Sequence, residues 1–106
     1  MNNNEKMLAN TYVNVGGLTP FEHQVTNILD DLRDLLIAKN KKYGNSALEP
    51  VRIFSKASSV EQILVRIDDK LSRLKTQHVT EDEDVIQDLM GYLVLLTIAT
   101  EEDKKN

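Results

Sequence analysis

Apolar residues recur along this chain at helical spacing, with polar residues filling the intervals between them. From residue 20 to 42, Phe21, Val25, Ile28, Leu29, Leu32, Leu35 and Leu36 fall three or four apart, which predicts a helix with one apolar side. Residues 59–76 repeat the pattern with Val60, Ile63, Leu64, Ile67, Leu71 and Leu74, all predicted to face inward. A third helix is predicted from about Glu81 to Thr100, and its second half, "YLVLLTIA", is apolar nearly all round. A helix of that kind needs neighbours on several sides.

Each predicted helix opens with the same device. "TPFE" gives Thr19 as N-cap, Pro20 at the first helical position and Glu22 three residues after the cap. "SSVE" repeats it with Ser58 and Glu61, and "TEDE" with Thr80 and Glu83. In all three the hydroxyl can accept from a free backbone N–H while the carboxylate reaches back to the cap. An all-α chain follows. Residues 1–18 read as an N-terminal arm, mobile or packed on a partner, with "TYVNV" at 11–15 an extended stretch. Residues 19–100 form one helical domain, and residues 101–106 a polar tail.

The chain has 106 residues, 41% of them hydrophobic and 28% charged, which is the size of one domain. Short chains bury their surface inefficiently. Three helices alone do not cover the third one, so a helical bundle completed by homo-oligomerisation is the expected architecture. Cysteine is absent, which excludes disulfides, thiolate metal sites and a cysteine nucleophile. No signal-like or membrane-spanning run is visible, so no membrane partner is expected and the cytoplasm is the expected location. The formal charge of -4 argues against DNA or RNA as a partner. A local basic patch can still hold a small anion.

Two places carry candidate chemistry. On the second helix Arg66, Asp69, Lys70 and Arg73 share one face at i, i+3, i+4 and i+7. This is either a solvated face laced by an Asp69–Arg73 pair, the simpler reading from spacing alone, or a set of cations for phosphates. On the third helix Glu81, Asp82, Glu83 and Asp84 crowd the first turn, where negative charge suits the helix dipole. Asp88 is different, since it lies inside "VIQDLMGYL" with Tyr92 one turn on. A carboxylate there is either paired with a base from another helix or part of a metal site. Gly91 implies close approach of a backbone or a ligand. His23 and His78 are isolated, and no Gly-rich phosphate loop is present.

The blocks "KNKKYGNS", "VRIDDKLSRL" and "EDVIQDLMGY", in that order, resemble the nucleotide-modification-associated domain family found largely in phages. More distantly they are similar to the all-α nucleoside triphosphate pyrophosphohydrolases of the MazG and dimeric dUTPase kind. Those are oligomeric bundles in which carboxylates of two helices bind magnesium and a water attacks the phosphate chain. The resemblance implies that Lys39, Lys42, Tyr43 and Asn45 form a nucleotide-facing turn after the first helix. There the lysines and Gly44 otherwise serve only as a helix end. Tyr43 would stack on a base, and Asn45 would read an edge or hold a phosphate. The MazG-like pattern has Glu-x-x-Glu and Glu-x-x-Asp on successive helices. This chain has Asp68 and Asp69 beside cations, then Asp84 and Asp88 four apart.

The expected function is therefore binding, without turnover, of a nucleotide-type small molecule at Lys39, Lys42, Tyr43, Asn45, Arg66, Asp69, Lys70, Arg73, Asp88 and Tyr92. Sequestering a defence signal in the host cytoplasm would be one use if the chain is phage-encoded. No cofactor is then needed. The alternative is a magnesium-dependent nucleotide pyrophosphohydrolase with Asp69 and Asp88 on the metal. A purely structural helical oligomer is the third reading.

Overall fold

A computed structural model describes residues 17–76 and 84–105. The described residues form α1 (Pro20–Tyr43), α2 (Ser59–Thr76) and α3 (Val85–Lys105), with no strand among them. Among the described residues the chain is all-α, and no helix there is long and apolar enough to cross a membrane. It divides within α1 into two compact units, residues 1–34 and 35–106. "TYVNV", His78 and the Thr80–Glu83 capping box lie outside the described residues.

The first unit contributes the start of α1. Its capping box is complete, with the Glu22 N–H donating to Thr19 Oγ1 at 3.1 Å and the Thr19 N–H donating to Glu22 Oε1 at 2.7 Å. Arg33 ties Asp30 and Asp34 on the exposed side at 3.3 and 3.1 Å. Leu32 is buried, whereas Phe21, Ile28 and Leu29, expected on an inward face, are exposed, Phe21 by 72%.

In the second unit α2 packs against α3. Ser58 Oγ accepts from the Glu61 N–H at 3.1 Å, so α2 begins where its cap predicts. The Gln62 side chain donates to the Ala57 carbonyl at 3.0 Å and fastens the incoming chain. Ile63, Val85 and Ala99 are buried, and Val60 and Ile67 are half-buried. Leu64, Leu71 and Leu74, predicted to face inward, are exposed, because only the narrower row Val60, Ile63 and Ile67 of the apolar stripe is covered among the described residues. The linker between α1 and α2 exposes Val51, Ile53 and, almost completely, Phe54.

α3 departs from its predicted bounds at both ends. It starts at Val85, and Asp84 is its N-cap, its Oδ1 accepting from the Gln87 N–H at 2.9 Å. At the other end it runs on to Lys105 instead of stopping near Thr100. "EEDKK" has strong helix formers, Glu101 and Lys105 stand at i, i+4, and the lysines complement the negative end of the dipole.

α1 ends in a Schellman-type turn. Gly44 has φ 65° and Asn45 φ 61°, both left-handed, and the Asn45 N–H donates back to the Asn40 carbonyl at 3.2 Å. The Asn45 carbonyl then accepts from Leu48 and Glu49 at 3.2 and 3.0 Å, which reverses the chain toward the linker. A Cβ at Gly44 would meet nothing within 4 Å, so only its backbone conformation demands glycine. Gly44→Ala is expected to lower stability by about 1 kcal/mol with an unchanged denaturant slope, measured by urea unfolding.

Candidate functional site

The turn after α1 brings its last two helical turns to a cleft that also takes in α2 and α3. Leu36, Lys39, Asn40 and Tyr43 lie on one side of α1, since i, i+3, i+4 and i+7 share a face. Asn45, Ser46 and Ala47 follow from the reversed chain, Arg66 comes from α2, and Gln87, Asp88, Gly91, Tyr92 and Leu95 come from α3. The volume is about 360 Å³, near the lower bound of small-molecule pockets. That suits one compact ligand and not a long polymer.

Asp88 is the charged centre of the α3 wall. Its side chain is 22% exposed, and its Oδ2 lies 3.1 Å from Nζ of Lys70, itself only 14% exposed. Its Oδ1 lies 4.0 Å from Nζ of the more exposed Lys39. The first distance is a close ion pair, and the second is too long for a hydrogen bond. Both charges of the Lys70–Asp88 pair are largely out of water, where a close counter-charge matters most. The Asp69–Arg73 pair, at 3.3 Å along the outside of α2, is far more exposed and contributes a few tenths of a kcal/mol by comparison.

The turn presents donors. Asn45 Oδ1 accepts from Asn40 Nδ2 at 2.7 Å, which leaves the Asn45 amide N–H groups as what it can offer a ligand. Lys42 Nζ stands 5.3 Å from the centroid of the Tyr43 ring, a cation–π contact on an exposed aromatic. Together the cleft offers two cations in Lys39 and Arg66, amide donors at the turn, two phenol rings and one carboxylate already engaged by lysine.

Of the residues picked from sequence, Lys39, Tyr43, Asn45, Arg66, Asp88 and Tyr92 line this cleft. Lys42, Asp69, Lys70 and Arg73 do not, and of the basic stripe only Arg66 reaches it. Lys70 serves the cleft through Asp88, and Lys42 through Tyr43. Among the described residues no three acidic or histidine side chains gather as a metal group, and Asp69 and Asp88 form separate ion pairs. Asn40 and Gln87 were missed. The signal for Asn40 was its position one turn before Gly44, and for Gln87 its place beside Asp88 on the face of Gly91 and Tyr92.

No family model matches the chain, and no characterised protein or solved structure matches it either.

Double-mutant cycles on the two ion pairs are expected to differ sharply. Lys70→Met with Asp88→Asn should give a coupling of about 1–3 kcal/mol, against less than about 0.5 kcal/mol for Arg73→Ala with Asp69→Ala. Urea unfolding of the single and double variants reads both.

Proposed function

We propose that the cleft binds a nucleotide-type small molecule and holds it without turnover, in a MazG-like fold of the phage type. The observation that carries the reading is the lining of one nucleotide-sized cleft. Residues from all three blocks of the family resemblance contribute to it: Lys39, Tyr43 and Asn45, then Arg66, then Asp88 and Tyr92. Each has a use on a nucleotide. The guanidinium of Arg66 and the ammonium of Lys39 suit phosphate oxygens, the free amide of Asn45 adds a neutral donor, and the tyrosines offer faces for a base.

The choice of holding over hydrolysis rests on the donor set. Magnesium clusters for phosphoryl chemistry are built from carboxylates with few cations among them. Here Asp88 faces two lysines and Asp69 faces Arg73. Sequestration of a nucleotide signal in the host cytoplasm is the use that fits such a site.

The test is a thermal-shift and recovery experiment over nucleoside triphosphates and cyclic nucleotides, with and without magnesium. A ligand at 100 times its Kd is expected to add about 2.7 kcal/mol of stability. Arg66→Ala and Lys39→Ala are expected to lose that stabilisation while keeping helical circular dichroism, and Arg73→Ala to keep both. Recovered ligand is expected intact. Magnesium-dependent release of pyrophosphate, lost in Asp88→Asn, would establish the hydrolase in its place.

A homo-oligomer accompanies this reading. On α3 Leu93, Val94 and Ile98 are exposed and Leu96 is half-buried, and α1 exposes Phe21, Ile28 and Leu29. So much apolar side chain in water along two helices is characteristic of a covered surface. Light scattering at micromolar concentration is expected to give a multiple of 12.0 kDa, and a monomer would remove the oligomer from the proposal.

A further inference from the structure

The position of Asp88 in the cleft has a consequence for which nucleotides fit. A carboxylate has about four acceptor positions over its two oxygens. Oδ2 is held by Lys70 at 3.1 Å, whereas among the described residues Oδ1 has Lys39 alone, at 4.0 Å. Oδ1 is therefore an acceptor on the cleft wall with hydrogen-bonding capacity unspent. Resting on the nucleotide reading of the cleft, we infer that Asp88 Oδ1 accepts a hydrogen bond from a sugar hydroxyl. That makes Asp88 a specificity-determining residue for nucleotides that keep that hydroxyl over their deoxy counterparts.

Two constraints point to a hydroxyl. An acceptor-only carboxylate repels a bare phosphate oxygen, so the group facing Oδ1 must be a neutral donor. A nucleotide has two kinds, sugar hydroxyls and base amines. Lys39 is a phosphate-binding cation of the cleft and its Nζ lies 4.0 Å from Oδ1. A phosphate on Lys39 thus brings its own neighbouring atoms to Asp88, and those are the sugar's, since the base is attached on the far side of the ring. Carboxylates read ribose hydroxyls in the same way in dinucleotide-binding folds. Lys70 holds the other oxygen of the carboxylate at 3.1 Å and so fixes its orientation on the wall.

The experiment is calorimetric titration of the full chain with the four ribonucleoside 5′-monophosphates and their 2′-deoxy and 3′-deoxy counterparts. For the base that binds best, removing one hydroxyl is expected to weaken binding about ten- to a hundredfold, the loss for a hydrogen bond to a charged acceptor. Asp88→Asn should flatten that preference, while Lys39→Ala should weaken every ligand and keep it. Should Asp88→Asn fail to fold, the ligand series on the unaltered chain still decides. Equal affinity for ribo and both deoxy forms, or a preference that survives in folded Asp88→Asn, would overturn the inference and leave the nucleotide reading standing. Discrimination by base amine alone would do the same. Absence of binding by every nucleotide would remove the nucleotide reading and this inference with it.

Discussion

On a largely covered face of α3 the Asp88 carboxylate meets its counter-charge in Lys70 of α2, 3.1 Å away. That pair fixes more than its own atoms. It locks one register of α2 on α3, because a shift along either helix would separate two charges that are both mostly out of water. It also holds Asp88 at the wall where Gln87, Gly91 and Tyr92 line the same cleft. Lys39, more exposed and at 4.0 Å, is held less closely and keeps its charge available to an incoming anion. One carboxylate thus joins a packing requirement to a binding surface.

The turn after α1 works on the other wall with backbone geometry in place of charge. Two successive left-handed residues, Gly44 and Asn45, reverse the chain while Tyr43, still helical, lines the cleft beside Asn45. The Asn40–Asn45 side-chain bond spans the same reversal and orients the Asn45 amide. Local capping and the cleft lining are therefore one structure. The lysines of "KNKKYG" end a helix and, through Lys39, furnish a cation to the cleft.

What could be seen in the sequence divides along the same line between local and distant forces. The caps at Thr19 and Ser58 and the turn at Gly44 depend on residues within five positions of one another, so pattern alone locates them. The start of α3 did not yield to this. Four consecutive acids, Glu81 to Asp84, each suit a cap or first turn, and local chemistry does not choose among them. Its end was missed because a polar stretch resembles a tail when propensity is set aside. Within the site, periodicity brought out Arg66, Asp88 and Tyr92, and the family resemblance added Tyr43. Periodicity could not say that Lys70, and not Arg66 or Arg73, meets Asp88, because that pairing is set by how α2 faces α3. The spacing of Asp69 and Arg73 did announce their exposed pair, which contributes least.

The distribution of charge bears on holding against cleaving. To recruit a divalent cation Asp88 would have to exchange its close contact with Lys70, whose ammonium is mostly out of water, for the metal. To bind an anion beside it, the site needs only to turn Lys39 away from a contact already beyond hydrogen-bond length. The second change is far smaller, since an exposed lysine reorients without desolvation and its loss costs Asp88 little while Lys70 stays in place. On the proposed reading, the packing that secures α2 to α3 suits a cleft that receives phosphate through its cations, with its carboxylate acting as an acceptor.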